Sequence, residues 1–254
     1  MSNSEKKDFQ GKTAIVTGAS KGIGLSIAEQ LAMRGANVVI SSRKQEACDE
    51  VAKSLTSKGF TALGVACHMG AFDQIQTLVD KSKKEFGGID IIVNNAATNP
   101  IYGGIEDATG DAFDKIMGVN VKGPLQLSQL AFEDLKTSNG NIVNISSIEG
   151  LSPGLGLGAY SVSKSALITL TKVLAKEWGK HGIRSNVVCP GLVETKFSEA
   201  LTSNEKVLKH VMTKQAVDYL ANPDDIAGLV VFLASDDAKF ITGGVYTADG
   251  GYTI

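Results

Sequence analysis

The run Thr13-Ala14-Ile15-Val16-Thr17-Gly18-Ala19-Ser20-Lys21-Gly22-Ile23-Gly24 lies near the start of the 254-residue chain. Its first five residues form a short, continuously apolar stretch of the kind that makes a strand buried on both faces. Three glycines then follow in GxxxGxG spacing. Beyond them Ile23, Ile27, Ala28 and Leu31 repeat at helical intervals, and Gly35 closes the pattern. A strand, a glycine-rich turn and a helix N-terminus in that order let backbone N–H groups approach a pyrophosphate closely, and the helix dipole favours its charge. The spacing departs from the GxGxxG of the general dinucleotide fingerprint. A plain strand-to-helix turn is the alternative reading.

Working outward, apolar runs keep alternating with amphipathic ones. Strands are predicted at Val38–Ser41, Thr61–Cys67, Ile89–Asn94, Asn141–Ser146, Arg184–Cys189 and Gly244–Ala248. Helices are predicted at Gln45–Lys58, Phe72–Phe86, Ala159–Lys180 and from Asn222 to about Ser235. A long helical stretch from about Asp111 to Leu135 carries Pro124, which should kink or divide it. Asn222-Pro223-Asp224-Asp225 reads as a cap, a proline at the first helical position and two acids facing the dipole. Strands alternating with helices predict an α/β fold: a single Rossmann-type, doubly wound, parallel seven-stranded sheet with helices on both faces. One domain over residues 1–254 is expected, with a polar N-terminal extension at 1–10 and a weakly periodic substrate lid at about 192–216. The ligand crevice should open at the carboxyl ends of the strands.

Composition narrows the classes of function. The chain is 43% hydrophobic and 20% charged with a formal net charge of −2, so no basic surplus suggests a nucleic-acid partner. No apolar run approaches a membrane span, and the polar start resembles no signal or transit segment. Cys48, Cys67 and Cys189 show no CxxC spacing. They read as thiols in a reducing compartment rather than as a disulfide or zinc site. His68, His181 and His210 form no HxxxH pair, so no metal site is expected, and a cytoplasmic location is.

The end of the second strand bears on the choice of nicotinamide cofactor. An NAD site usually places an acid there, about twenty residues beyond the glycines, on the ribose 2′-hydroxyl. Ser41-Ser42-Arg43-Lys44 has no acid, and Lys21 adds a cation inside the glycine turn. Arginine's planar fork suits a phosphate, and one charge-assisted bond is worth about 1.5–3 kcal/mol. NADP(H) is therefore favoured over NAD(H). The alternative is that Arg43 and Lys44 are simply solvated.

Tyr160-Ser161-Val162-Ser163-Lys164 opens the long helix near residue 160 and places a phenol and an ammonium on one helix face. A free tyrosine titrates near 10, too high for ready proton exchange. Lowering it by about two units requires about 2.7 kcal/mol of differential interaction, which Lys164 could largely supply. Ser146-Ser147 ends the fifth strand, and Ser147 could donate to a substrate oxygen. Backbone capping is its alternative reading.

Taken together these motifs resemble the classical short-chain dehydrogenase/reductase family along essentially the whole chain. Thr17 to Gly24 is similar to that family's TGxxxGIG motif and Asn94-Asn95-Ala96-Ala97 to its NNAG. Ser147, thirteen residues before Tyr160, has the family's spacing, and Tyr160 to Lys164 is its YxxxK pair. The resemblance implies a catalytic set of Asn120, Ser147, Tyr160 and Lys164. Tyr160 would exchange the proton, Lys164 would lower its pKa and bind the nicotinamide ribose, Ser147 would position the carbonyl, and Asn120 would hold a water in a proton relay. It implies cofactor contacts from Gly18, Ser20, Lys21, Gly22, Ile23, Gly24, Ser42, Arg43 and Lys44. Further contacts would come from His68, Met69, Asn95, Ala96, Ala97, Tyr160, Lys164, Pro190, Gly191, Val193 and Thr195. Two positions depart from the pattern: Ala97 replaces the usual glycine, and His68 stands where many members have an aspartate. For His68 a partly buried polar residue without a catalytic role is the favoured reading.

The implied activity is hydride transfer between NADP(H) and a small-molecule carbonyl or secondary alcohol. Val39–Gln45, Cys67–Gly70 and Asn99-Pro100 are similar to carbonyl reductases acting on ketones, dicarbonyls and retinoids. A 3-oxoacyl thioester reductase and a sugar or steroid alcohol dehydrogenase would use the same set. A redox-silent nucleotide-binding protein is the reading from another class. Specificity is expected in Ile148–Leu157, an apolar substrate wall or a packed loop, and in Glu194 to about Ala216. The resemblance also implies a homotetramer built on the long helices and the last strand.

Overall fold

In the computed structural model, which describes residues 7–254, strand β1 (Thr13–Thr17) is buried along its full length. Its alternation divides the interior. Ala14 and Val16 join the core beneath α1 (Gly22–Met33), α2 (Gln45–Ser57) and α10 (Pro223–Ala234). Ile15 joins the opposite core, beneath α3 (Phe72–Phe86), α5 (Gly123–Leu130) and α7 (Gly158–Trp178). Period-two side-chain direction thus builds a sheet covered on both faces, as the apolar run predicts.

β1 pairs in parallel with β2 (Asn37–Ser42) on one side and β4 (Ile91–Asn94) on the other. With β3 (Ala62–Ala66), β5 (Asn141–Ile145), β6 (Arg184–Pro190) and β7 (Val245–Ala248) the sheet has seven strands in the order β3-β2-β1-β4-β5-β6-β7. The reversal between β1 and β4 creates the crevice that such sheets use for ligands. α3 has the predicted bounds, and most other elements shift by one or two residues at their ends. Asn222 caps α10 as expected: its Oδ1 accepts from Asp224 N at 2.8 Å while its own N–H reaches Asp225 Oδ2 at 2.8 Å.

Three expectations change and one narrows. Residues 1–6 of the N-terminal extension lie outside the described residues, and its end is no free polar tail. Phe9 is fully buried in the β1–α1 core, and Asp8 pairs with the guanidinium of Arg34, accepting from Nε at 2.8 Å. One aromatic ring's burial outweighs the polarity around it. The long helix is divided, but not simply at Pro124. α4 (Gly110–Met117) runs into a π-turn at Gly118–Lys122, α5 begins at Gly123, and the break before α6 (Phe132–Ser138) falls at Ala131. Gly123 N–H bonds to Gly118 O, five residues back, so the widened turn absorbs the proline that follows. The mixed region after β6 contains two short helices, α8 (Glu199–Thr202) and α9 (Glu205–Lys214). Lastly, of the two readings of Ile148–Leu157 the packed loop does not fit Leu151 and Leu155, which are exposed, while Leu157 lines a cleft.

Candidate active site

Every motif residue but Asn120 ends a strand, follows its carboxyl end or lies in the first two turns of the helix beyond it. Gly18 and Gly22 hold φ of +66° and +58°, a region that L side chains avoid. Gly24 has an ordinary φ but no room: a Cβ there would meet Asn95 Nδ2 at 2.4 Å and Gly18 O at 2.6 Å. The turn is braced from β4. Asn95 Nδ2 donates to Thr17 O at 2.9 Å and Gly18 O at 3.2 Å, and Thr17 Oγ1 accepts from the N–H groups of Asn95 and Ala96 at 3.0 and 3.1 Å. Ala19 N–H reaches Ser41 O at 3.0 Å, fixing the turn to β2. Asn95, expected as a cofactor contact, spends its amide on holding the turn. Thr17, absent from the expected set, is the residue it holds.

The N-terminus of α1 is open. Its cap position is Lys21, whose side chain makes no capping hydrogen bond, and its first turn holds no acid. Arg43 and Lys44 are exposed beside it at the end of β2, with no ion pair among the described residues. Ser42 lies within 3.3 Å of Cys48 Sγ. Half-buried His68 accepts from Gly70 N at 3.1 Å through Nδ1, a local turn contact. The side chains of Met69 and Val193 are buried in the two cores, and the Val193 carbonyl accepts from the Ser198 hydroxyl. Thr195 Cγ2 would lie 3.3 Å from a Cβ on Gly22, so the segment after β6 comes down over the glycine turn. Gly191 N–H is bound to Ala248 O at 3.0 Å, and Pro190 is the last residue of β6. Ser20, Ile23, Ala96 and Ala97 are half-buried along the same edge.

On the other side of the crevice α7 delivers Tyr160 and Lys164. Lys164 is 2% exposed, its Nζ donates to Ile145 O at 2.7 Å, and it lies 5.5 Å from the Tyr160 ring centre. Burial lowers the Lys164 ammonium to about 8, against a smaller opposing pull from Cys189. Burial raises Tyr160 above the usual tyrosine range. A hydrogen bond from Ser147 pulls it back, and the charge of Glu149 raises it further. Desolvation of the phenolate is the largest of the influences on Tyr160. Cys189 at the end of β6 is pushed up to about 11 and Cys67 to about 12, both mainly by burial, so neither is a ready nucleophile.

Asn120 occupies the π-turn. Its Oδ1 accepts from Thr98 N at 2.8 Å, and its Nδ2 donates to Thr98 O and to Ser163 Oγ, both at 3.0 Å. Ser163 in turn donates to Tyr160 O at 2.7 Å. The amide is consumed in tying the loop after β4 to the first turn of α7. The backbone carbonyl of Asn120 is different: its helical donor would be the N–H of residue 124, which is proline. Ser163 lay inside the YxxxK motif, but its partner is distant in sequence, so spacing alone gave no signal. Glu149 was also missed, although it is the one acid in Ile148–Leu157.

The mouth is apolar. Ile101, Ile105 and Leu157 line a small cleft, and the Phe197 ring, 59% exposed, stands 6.3 Å from that of Tyr160. Among the described residues no group of three or more His, Cys, Asp or Glu could hold a metal ion, and no helix is long and apolar enough to cross a membrane.

Comparison with known proteins identifies the family. Residues 18–253 match the model of a family described as enoyl-(acyl carrier protein) reductase. Dehydrogenase/reductase SDR family member 4 of Sus scrofa is 40% identical over 247 residues, 97% of this chain and 88% of that protein. Tropinone reductase-like 3 of Erythroxylum coca is 42% identical over 243 residues, 96% of this chain and 93% of that protein. A short-chain dehydrogenase of Burkholderia cenocepacia, solved in complex with NADP, superposes with a TM-score of 0.91 at 33% identity, covering 97% of this chain and 100% of that one.

Proposed function

Because the chain belongs to the short-chain dehydrogenase/reductase family, we propose that it is an NADP(H)-dependent oxidoreductase acting on a carbonyl or secondary alcohol, with Tyr160 as its proton donor and acceptor. The observation that carries this reading is the meeting of Ser147, Tyr160 and Lys164 in one buried spot at the carboxyl edge, across the crevice from an uncapped helix N-terminus. Two hydroxyls converging on one point suit a single substrate oxygen, as carbonyl reduction requires.

The residues fit the cofactor. The positive-φ turn at Gly18 and Gly22 and the crowding at Gly24 leave space that a Cβ would fill, and the bare α1 N-terminus offers N–H groups to a pyrophosphate. Arg43, Lys44 and Lys21 would receive a 2′-phosphate, a role their exposure allows. When bound, the nicotinamide supplies or accepts the hydride. The chain's own residues do the rest. Ser147 orients the substrate oxygen, Tyr160 gives it the proton as hydride arrives, and Lys164 holds a positive charge beside the phenol. The carbonyl of Asn120, without a proline N–H to answer it, is a site for the water that returns the proton. Asn120's amide and Ser163 position Tyr160. Residues 192–216 act as a lid over this centre, with the Phe197 ring 6.3 Å from that of Tyr160, and residues 7–254 form one catalytic domain.

A homotetramer is the assembly we propose, since Val162 and Val173 leave apolar surface on α7 and β7 is the last strand of the sheet. Three buried, unpaired cysteines favour the cytoplasm. Titration of the purified chain with NADPH and with NADH, followed by a panel of neutral ketones, tests the function. Tighter NADPH binding and ketone reduction are expected. Tighter NADH binding would overturn the cofactor choice, and absence of turnover on any carbonyl would overturn the reaction. Sedimentation velocity checks the tetramer.

A further inference from the structure

Glu149 lies two residues after Ser147 in the short turn Ile148–Gly150, and its backbone N–H donates to Ser147 Oγ at 3.2 Å. Its Oε2 accepts from Gly154 N at 2.7 Å and from the hydroxyl of Ser161 at 3.0 Å. Ser161 is buried and follows Tyr160 in α7. The carboxylate is therefore tied between the serine that faces the reacting oxygen and the helical turn that carries the phenol. Its charge reaches two tyrosines, raising both Tyr160 and Tyr102. Tyr102 stands at the mouth, where its ring lies 3.8 Å from a Cβ on Gly156.

Among the described residues no Lys, Arg or His forms an ion pair with Glu149. The nearby cleft is lined by Ile101, Ile105 and Leu157 with Asn99, and none of its lining side chains is charged. A half-buried carboxylate without a counter-charge, beside a cleft whose lining is uncharged, keeps part of its field. It will attract a cation that enters and repel an anion.

We propose that Glu149 sorts substrates by charge, favouring carbonyl compounds that bear a basic nitrogen on an apolar frame and disfavouring those that bear a carboxylate or phosphate. This rests on the carbonyl-reductase reading above. Both hydrogen bonds to Glu149 can be accepted by a glutamine oxygen, so Glu149→Gln removes the charge and keeps the loop. Ser161→Ala does the reverse, loosening the loop and keeping the charge.

The experiment takes the neutral aryl ketone that the NADPH-loaded wild type turns over fastest and compares it with its para-trimethylammonium and para-carboxylate derivatives. Wild type should prefer the ammonium ketone to the carboxylate by about tenfold or more in kcat/KM. Glu149→Gln should shrink that ratio by about tenfold, with the neutral ketone reading any common effect that reaches the reaction through Tyr160. Ser161→Ala should leave the ratio where it was. If Glu149→Gln moves all three ketones equally, or leaves the ratio unchanged while the neutral ketone is reduced normally, Glu149 is only a loop anchor and the proposal is overturned. If no neutral ketone is reduced at all, the reaction assignment fails and this inference falls with it.

Discussion

Around Gly18 and Gly24 the polar atoms are answered within the protein: Asn95 serves Thr17 and Gly18, Thr17 serves Asn95 and Ala96, and Ala19 is bound to Ser41. Around Tyr160 and Lys164 burial outruns the bonding. An ammonium that donates to Ile145 O sits under a phenol, and both are driven toward their neutral forms. The first region is rigid because its hydrogen bonds are satisfied. The second is reactive because its charges are not. A site that recognises a common cofactor can be fully determined by the fold. A site that moves a proton must hold groups in states the fold itself disfavours.

Four substitutions test that contrast. Tyr160→Phe removes the proton donor and should lower kcat by about 10³-fold with NADPH affinity retained. Near-normal turnover in steady-state assays would break the assigned mechanism. Lys164→Met should abolish turnover yet raise stability by up to about 3 kcal/mol at pH 7. The sign follows from linkage. The folded-state value near 8 lies below the ordinary 10.5, so the unfolded chain binds the extra proton between those values. Lys164 should therefore add a rise of stability with pH across that window, set against the fall that the raised Cys67 and Cys189 thiols cause above about 9, and the variant should lose that contribution to the slope. Denaturation at pH 7, 8, 9 and 10 reads this directly, and an unstabilised variant with the slope intact would show that Lys164 is not strained by burial.

On the braced side, Gly24→Ala drives a methyl group into Asn95 and the Gly18 carbonyl. It should cost about 1–3 kcal/mol of stability and weaken NADPH and NADH alike. Calorimetric titration showing normal binding of both would mean the turn can yield. Arg43→Ala should be the mildest, weakening NADPH about ten- to hundredfold while leaving NADH unmoved. Equal effects on the two cofactors would assign Arg43 to something other than the 2′-phosphate.

The parts of this architecture that were legible in the sequence are those set by local pattern. β1 and β4 are short apolar runs buried on both faces, α3 has a clean amphipathic face, and Asn222 to Asp225 spells out its own cap. Tyr160, Lys164 and Ser147 were legible as residue types at fixed intervals. What escaped depends on distance. The link from Asn120 to Ser163 spans 43 residues and that from Asn95 to Thr17 spans 78, and nothing at either end announces the other. The π-turn escaped because helical periodicity does not register a change from four to five residues per hydrogen-bonded step. The upward push on Tyr160 escaped because burial, unlike charge, cannot be read from a neighbour four positions away.

The strand order also governs how the chain can be made. Each strand that leaves the ribosome finds a partner already present: β2 joins β1, β3 joins β2, β4 returns to the far side of β1, and β5, β6 and β7 add outward in turn. Until Ile91–Asn94 emerges, one edge of β1 stays open along its apolar length. Open apolar edges are where nascent chains pair with the wrong neighbour. The hazard in producing this protein is thus concentrated in the interval between its first strand and its fourth.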